Sequence, residues 1–133
     1  MTERFFVYGT LKVGGYFAAG FDKVRTSVKP ATLKGHDLYR IGKSSFPVAI
    51  PGDGVVIGEV HEYAKANTSQ VLKELDRIEG YVENNEENSL YIRKKLPITL
   101  NDGSEIDAYV YIFNQDIFNY GRCTKINNGI WEL

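Results

Sequence analysis

The chain has 133 residues, of which 43% are hydrophobic and 25% charged, and its formal net charge is −1. These values are typical of a globular protein, so we expect residues 1–133 to form one domain. The near-zero charge argues against nucleic-acid and acidic-membrane partners. A single cysteine excludes an intramolecular disulfide. Because no signal peptide and no run of about 20 apolar residues is present, we expect no membrane span and a cytoplasmic location.

The first half of the chain predicts a series of strands. An apolar run over residues 4–8 is followed by a loop over 9–22, with a short helix near Tyr16-Phe17-Ala18-Ala19. Weak alternation and turn residues predict four further strands, over 24–33, 36–41, 45–50 and 55–63. The sequence Pro51-Gly52-Asp53-Gly54 predicts a turn between the last two.

The second half predicts one helix and one hairpin. The helix covers residues 69–78, and the hairpin joins strands 91–100 and 106–113 through the turn Asn101-Asp102-Gly103-Ser104. The tail from Asn114 reads as irregular. Strands outnumber helices, so we predict an α+β fold with a curved sheet or a small, partly open mixed β-barrel and flanking helices.

The predicted helix contains an unusual acidic residue. Asn67 or Thr68 can cap its start, and Gly80 is placed to end it. Glu79 continues the apolar face of Leu72 and Leu75, whereas the opposite face carries the charged residues Lys73, Glu74, Asp76 and Arg77. Burial and the helix dipole would both raise the pKa of Glu79, which suits a general acid/base. The alternative is that Glu79 lies at the edge of this face and points to water.

A glycine-punctuated loop follows the first strand. In Tyr8-Gly9-Thr10-Leu11-Lys12-Val13-Gly14-Gly15, successive backbone N–H groups can bind a small anion such as a carboxylate. Gly9 and Gly14 have the spacing of a P-loop, but Gly15-Tyr16 stands where Lys-Ser/Thr is required, which argues against phosphate binding of that type. The alternative is an ordinary turn between a strand and a loop.

Other reactive side chains form no recognisable site in the sequence. His36 and His61 are isolated, and Cys123 lies in the irregular tail, so we expect no metal site and no covalent nucleophile. The basic run Arg93-Lys94-Lys95 reads as a solvated strand surface.

Two motifs together resemble the γ-glutamylcyclotransferase-like family, which includes γ-glutamylamine cyclotransferases and avirulence-induced proteins. They are Tyr8-Gly9-Thr10-Leu11-Lys12 and, about seventy residues later, Leu75-Asp76-Arg77-Ile78-Glu79-Gly80-Tyr81. Further matches are Phe46-Pro47, Tyr91-Ile92-Arg93 and Ala108-Tyr109-Val110-Tyr111. The resemblance covers residues 4–114, and each motif is weak alone but specific in this order.

The resemblance implies a cofactor-free enzyme that cyclises a small γ-glutamyl compound to 5-oxoproline and releases an amine or amino acid. Glu79 matches the catalytic glutamate. Substrate binding is implied for the residues Tyr8, Gly9, Thr10, Leu11 and Tyr111. Tyr91 and Arg93 match a motif expected to support the site. One departure concerns the residues after the glycine loop, where many relatives have a polar residue and this chain has Tyr16-Phe17-Ala18. The identity of the released amine or amino acid therefore stays open.

Two rival hypotheses remain at this point. A non-catalytic protein of the same fold could bind a small metabolite, but the acid at position 79 favours an enzyme. A structural or interaction protein with an incidental cavity would show no thermal shift with 5-oxoproline or γ-glutamyl compounds. The sequence leaves the oligomeric state open.

Overall fold

The computed structural model describes residues 3–15, 18–41, 46–114, 117 and 122–132. These contain the elements β1 (Arg4–Val7), β2 (Arg25–Ile41), β3 (Phe46–Tyr63), α1 (Thr68–Glu79), β4 (Tyr91–Leu100), β5 (Glu105–Phe113) and β6 (Cys123–Lys125). Short 3-10 helices lie at Ala19–Phe21, Lys65–Asn67 and Glu86–Asn88. No helix in these ranges is both long and apolar enough to cross a membrane.

The strands close into a five-stranded mixed barrel. Their order is β3-β1-β5-β4-β2, and a further pairing of β2 with β3 closes the sheet, while β6 extends it beside β2. β1 pairs in parallel with β5, and the other pairings are antiparallel. The predicted α+β barrel is therefore confirmed, and so is the antiparallel hairpin of β4 and β5.

Two predicted strand pairs are in fact two long strands. β2 runs without a break over Arg25–Ile41, and β3 over Phe46–Tyr63, so the turn predicted at residues 51–54 was wrong. Opposite these residues, the register of the β2–β3 pairing shifts between Lys34 and His36 on β2. The Asp37 side chain accepts a hydrogen bond from the Gly54 N–H at 2.9 Å, which stabilises the irregular backbone inside the sheet.

Alternate residues of the strands form two hydrophobic clusters. Phe6 belongs to a cluster with Val110 and Trp131, and Phe5 to a second cluster with Tyr111 and the helix residues. Since side chains alternate between the two faces of a strand, and α1 packs on the second cluster, the first cluster fills the barrel. The second cluster lies between the barrel wall and α1.

Helix α1 ends as predicted but begins differently. Gly80 adopts a left-handed conformation (φ 68°), and the Tyr81 N–H donates to the Asp76 carbonyl at 2.9 Å, which is a Schellman ending. The predicted side-chain cap at Asn67 or Thr68 was wrong: neither caps the helix, and a 3-10 turn leads into it instead. Val71 and Leu75 are the buried helix residues.

The remaining predictions concern the connecting segments. The short helix predicted near 16–19 partly lies outside the described residues, at Tyr16 and Phe17, and a 3-10 helix follows at Ala19–Phe21. The start of the predicted strand 45–50 lies outside them as well, at Ser45. The tail was predicted to be irregular, but residues 123–125 form β6 because they pair with the end of β2.

Candidate functional site

A cavity of about 180 Å³ lies between the glycine loop, the end of α1 and the adjoining strands. Its lining is mostly apolar and aromatic. The residues concerned are Phe6, Val7, Tyr8, Gly9, Thr10, Leu11, Pro47, Ile78, Glu79, Leu90, Tyr91 and Tyr111. All six residues expected to form the site from the sequence, Tyr8 to Leu11, Glu79 and Tyr111, are among them.

Glu79 supplies the one ionisable carboxyl group of the cavity lining among the described residues. The side chain is at the last position of α1, where the helix dipole disfavours negative charge. Burial raises the pKa of Glu79 from 4.5 to about 8. In the described part of the chain, no hydrogen bond or ion pair engages its carboxyl group. Its proton is therefore available for exchange with a bound molecule near neutral pH.

The glycine loop offers unpaired backbone donors on the same cavity. Within the described ranges, the N–H groups of Gly9, Thr10 and Leu11 donate no hydrogen bond to the protein. The Gly9 carbonyl, by contrast, accepts a bond from the Lys12 N–H at 3.0 Å, which closes the turn. Unpaired backbone N–H groups require a partner, and a ligand carboxylate is a suitable one.

Gly9 is needed because the ring of Pro47 packs directly against its backbone. A Cβ atom at this position would lie 2.3 Å from Cγ of Pro47 on β3. The conformation of Gly9 is not left-handed, unlike that of Gly14 (φ 90°). The Gly9 and Phe46-Pro47 motifs are thus two sides of one contact, which seats the loop against the barrel.

Two further contacts hold the glycine loop in place. The Val13 N–H donates to Oε1 of Glu59 on β3 at 2.9 Å, and the same oxygen accepts a hydrogen bond from Nε2 of His61, also at 2.9 Å. Burial lowers the pKa of His61, so this ring is a neutral structural donor. Lys12 donates through Nζ to the Trp131 carbonyl at 2.5 Å, which ties the loop to the C-terminal segment.

The three tyrosines of the cavity have their hydroxyl groups engaged elsewhere. Tyr8 donates to the Tyr111 carbonyl at 2.7 Å, and Tyr91 donates to the Pro47 carbonyl at 2.7 Å. Tyr111 donates to Oδ1 of Asp76 at 2.5 Å. Burial raises the pKa of all three phenols, so they are neutral walls of the cavity. Tyr111, expected to bind substrate, thus lines the cavity with its ring while its hydroxyl contacts the helix.

Sequence reasoning misplaced Asp76 and Arg93. Asp76 was assigned to the exposed face of the helix and Arg93 to a solvated strand, yet the two side chains form an ion pair of 2.5 Å and are only 18% and 12% exposed. Helical periodicity could not reveal this, because the partner lies on β4. The motif match of Arg93, which implied support for the site, was the informative signal.

The other singled-out side chains lie away from the cavity. His36, His61 and Cys123 are not part of its lining. His36 is partly exposed and its Nδ1 lies 3.1 Å from the Lys34 carbonyl, whereas His61 is fully buried beside Glu59.

Comparison with known proteins gives the family. A family model described as "Gamma-glutamyl cyclotransferase, AIG2-like" matches residues 5–133. The chain belongs to this family. The resemblance inferred from the sequence motifs is thereby confirmed. A relative from Methanocaldococcus jannaschii, named "Putative gamma-glutamylcyclotransferase MJ1514", is 27% identical over 113 residues, which are 84% of each chain.

Two solved structures have a similar fold. An AIG2-like protein of Mus musculus has a TM-score of 0.70 at 21% identity, with 98% of this chain and 94% of that chain covered. The ytfP protein of Escherichia coli has a TM-score of 0.59 at 26% identity, with 96% and 95% covered. At 21% identity, the similarity to the mouse protein shows that the two chains share a fold and no more.

Proposed function

We propose that this protein is a cyclotransferase that converts a small γ-glutamyl compound to 5-oxoproline and releases an amine or amino acid. One observation carries the proposal. A carboxyl group with a pKa of about 8 shares a small cavity with the N–H groups of Gly9, Thr10 and Leu11, and none of these groups has a partner among the described residues. Membership of the gamma-glutamyl cyclotransferase, AIG2-like family supports this activity in general terms.

The glycine loop would bind the substrate through its α-carboxylate. The N–H groups of Gly9, Thr10 and Leu11 are the proposed donors, since a concave run of backbone N–H groups binds anions. The cavity of about 180 Å³ is smaller than the roughly 300–1,000 Å³ of drug-sized sites, so only the compact γ-glutamyl group would be enclosed. The apolar rings of Tyr8, Tyr91 and Tyr111 would fold its side chain against Glu79.

The reaction needs one proton acceptor that later becomes a donor. The substrate α-ammonium transfers a proton to the Glu79 carboxylate, and the free amine attacks its own γ-carbonyl carbon. A carbon–nitrogen bond closes the five-membered ring, and the γ-carbonyl oxygen takes up a negative charge. The bond from that carbon to the leaving nitrogen breaks as the carbonyl re-forms and Glu79 gives its proton to the leaving nitrogen. The ring nitrogen then passes its second proton to the Glu79 carboxylate, which transfers it to the released amine, so that 5-oxoproline keeps one N–H and the amine leaves as an ammonium ion. Because the attack is intramolecular, correct folding of the substrate supplies a large part of the rate.

The raised pKa of Glu79 matches the proton that it must move. An α-amino group has a pKa of roughly 8, and an ordinary glutamate one of about 4.3, so proton transfer to an ordinary glutamate would be uphill by about 5 kcal/mol. With a pKa of about 8, Glu79 and the ammonium compete for the proton on nearly equal terms. Burial at the end of α1 is what produces this match.

The test is the release of 5-oxoproline from a panel of γ-glutamyl amino acids, γ-glutamyl amines and γ-glutamyl lysine. We expect Glu79→Gln to lower kcat by about 10²–10⁴-fold while 5-oxoproline still binds. Glu74→Gln is the matched control, because Glu74 is on the same helix but pairs with exposed Arg77. Turnover by Glu79→Gln within a few-fold of the unmodified protein would refute the role of Glu79. Binding of γ-glutamyl compounds without turnover would instead indicate the metabolite-binding alternative.

The pH dependence gives a second test of the same assignment. In the free enzyme, only the ionised form of Glu79 can accept the substrate proton. Since the pKa is about 8, we expect kcat/KM to fall about tenfold per pH unit below pH 8. It should fall again at higher pH, because the substrate ammonium that supplies the proton has a pKa of roughly 8 and is then lost. A profile that stays flat between pH 5 and pH 8 would show that Glu79 is not the base.

A further inference from the structure

One carboxylate joins the end of α1 to two strands beneath the cavity. Asp76 accepts a hydrogen bond from the Tyr111 hydroxyl of β5 on Oδ1 and one from Nη1 of Arg93 of β4 on Oδ2, both at 2.5 Å. Charge-assisted bonds of this length are strong and directional. Because both oxygens are engaged, the carboxylate of Asp76 has a fixed orientation relative to the barrel wall.

The partner cation is also held firmly. The Arg93 guanidinium lies 5.1 Å from the ring centre of Tyr81 and 5.3 Å from that of Tyr109, and its side chain is only 12% exposed. Aromatic faces on a guanidinium add attraction and restrict its movement. If Asp76 lost its charge, Arg93 could not easily swing into solvent, and a partly buried positive charge would remain without its ion-pair partner.

The position of Glu79 depends on this cluster. Asp76 precedes Glu79 by three residues on α1, so their Cβ atoms are neighbours one turn apart. Tyr111 contacts Asp76 through its hydroxyl and lines the cavity beside Glu79 with its ring. We propose that Asp76 is a positioning residue that fixes Glu79 at the cavity wall and neutralises the charge of Arg93. The inference rests on the proposed role of Glu79.

The electrostatic part of the proposal follows from the groups around Glu79. Among the described residues, the titratable groups that face it are the phenols of Tyr8, Tyr91 and Tyr111, which burial keeps neutral. Asp76, one helical turn before Glu79, is paired with Arg93, and the opposite charges of this ion pair largely cancel at a distance. Desolvation alone then sets the pKa of Glu79, and it raises that pKa without opposition.

The proposal predicts shifts of opposite sign when either charge is removed. In Asp76→Asn, the unpaired cation of Arg93 favours the Glu79 carboxylate and lowers its pKa. In Arg93→Gln, the unpaired carboxylate of Asp76 raises it. At an effective dielectric constant of about 20, a unit charge roughly 10 Å away changes a pKa by about one unit. The double variant removes both charges and should return the pKa of Glu79 close to its original value.

The experiment is a ¹³C NMR titration of the Glu79 side-chain carboxyl in the free protein, which requires no turnover. The unmodified protein, Asp76→Asn, Arg93→Gln and the double variant are compared, with Glu74→Gln as a control that removes the same charge from the exposed side of α1. The Tm of each variant is recorded, so that loss of folding is distinguished from a pKa effect. Relative to the unmodified protein, we expect the pKa of Glu79 to fall by about one unit in Asp76→Asn and to rise by about one unit in Arg93→Gln. It should not change in the double variant or in Glu74→Gln.

Two results would overturn the inference. The first is a Glu79 pKa in folded Asp76→Asn that equals that of the Glu74→Gln control. The second is a shift of the same sign in Asp76→Asn and Arg93→Gln, which would indicate a general loosening of the helix end. A protein without turnover on any γ-glutamyl compound would refute the proposed function but would leave the titration result standing. Where turnover is found, the acid limb of kcat/KM should move to lower pH in Asp76→Asn.

Discussion

Replacing Glu79 by glutamine should stabilise the protein at alkaline pH. Glutamine has nearly the same shape and carries no charge, so the change removes the cost of ionising a carboxyl group in an apolar cavity. Burial raises the pKa of Glu79 from 4.5 to about 8. At pH 6 the folded state therefore retains a proton that the unfolded chain releases, and the free energy of unfolding decreases as pH rises from about 4.5 to about 8.

The full difference in pKa corresponds to about 5 kcal/mol above pH 8, at about 1.4 kcal/mol per unit. Because Glu79 as a residue is half-buried, solvent reduces the cost of its charge, and we expect about 2–4 kcal/mol to be observed. Below pH 4 both proteins should be equally stable. The assay is urea unfolding of the unmodified protein, Glu79→Gln and the control Glu74→Gln at pH 4, 6, 8 and 9. A difference independent of pH, or a Glu79→Gln protein less stable at pH 9, would refute the burial of an ionisable Glu79.

Three further predictions follow from other contacts of the site. Gly9→Ala should lower the free energy of unfolding by about 1–3 kcal/mol and impair turnover, because its Cβ would lie 2.3 Å from Pro47. Gly20→Ala is the control in the same urea assay and should be tolerated, because a Cβ at that position meets nothing within 4 Å. Trp131→Ala should cost about 3–5 kcal/mol by the same measurement, since this residue is 5% exposed within the barrel cluster. EDTA should leave 5-oxoproline release unchanged, because the described residues contain no group of three metal ligands; activity lost to EDTA and restored by zinc would contradict this.

The position of Glu79 could be predicted from the sequence because its cause is local. The helical period places residue 79 on the same side as Leu75, and Gly80 ends the helix one residue later, as the structure confirms. The depth of burial could not be predicted, because the cavity walls come from strands distant in the sequence. Tyr8 and Tyr111 meet Glu79 only through the pairing of β1 with β5 and the packing of α1.

Three of the failed predictions involve contacts with a distant part of the chain, whereas the predicted cap at Asn67 or Thr68 failed locally, because a 3-10 turn leads into α1. A proline-and-glycine run at 51–54 has the composition of a turn, but β3 pairs with β2 on both sides of it, and only Gly52, Asp53 and Gly54 are left out of the register. Asp37 stabilises this irregularity from the opposite strand. The strand β6 is short and polar, and it exists because the end of β2 offers it a pairing edge. Asp76 resembles a surface residue on a helical wheel, and only the position of Arg93 on β4 explains its burial. Each of these three failures lies where a partner far along the chain overrode the local preference.

The cavity combines two features that oppose folding. A carboxyl group is buried at the unfavourable end of a helix dipole, and the N–H groups of Gly9, Thr10 and Leu11 lack partners among the described residues. The surrounding contacts compensate for these features without occupying the cavity. Asp76 forms an ion pair with Arg93. Glu59 and Lys12 hold the glycine loop through hydrogen bonds to Val13 and Trp131. The tyrosine hydroxyls donate to carbonyl or carboxylate oxygens. Among the described residues, the groups left without a partner are the Glu79 carboxyl and the N–H donors of the glycine loop. The proposed γ-glutamyl substrate has an ammonium group to pair with the first and a carboxylate to pair with the second.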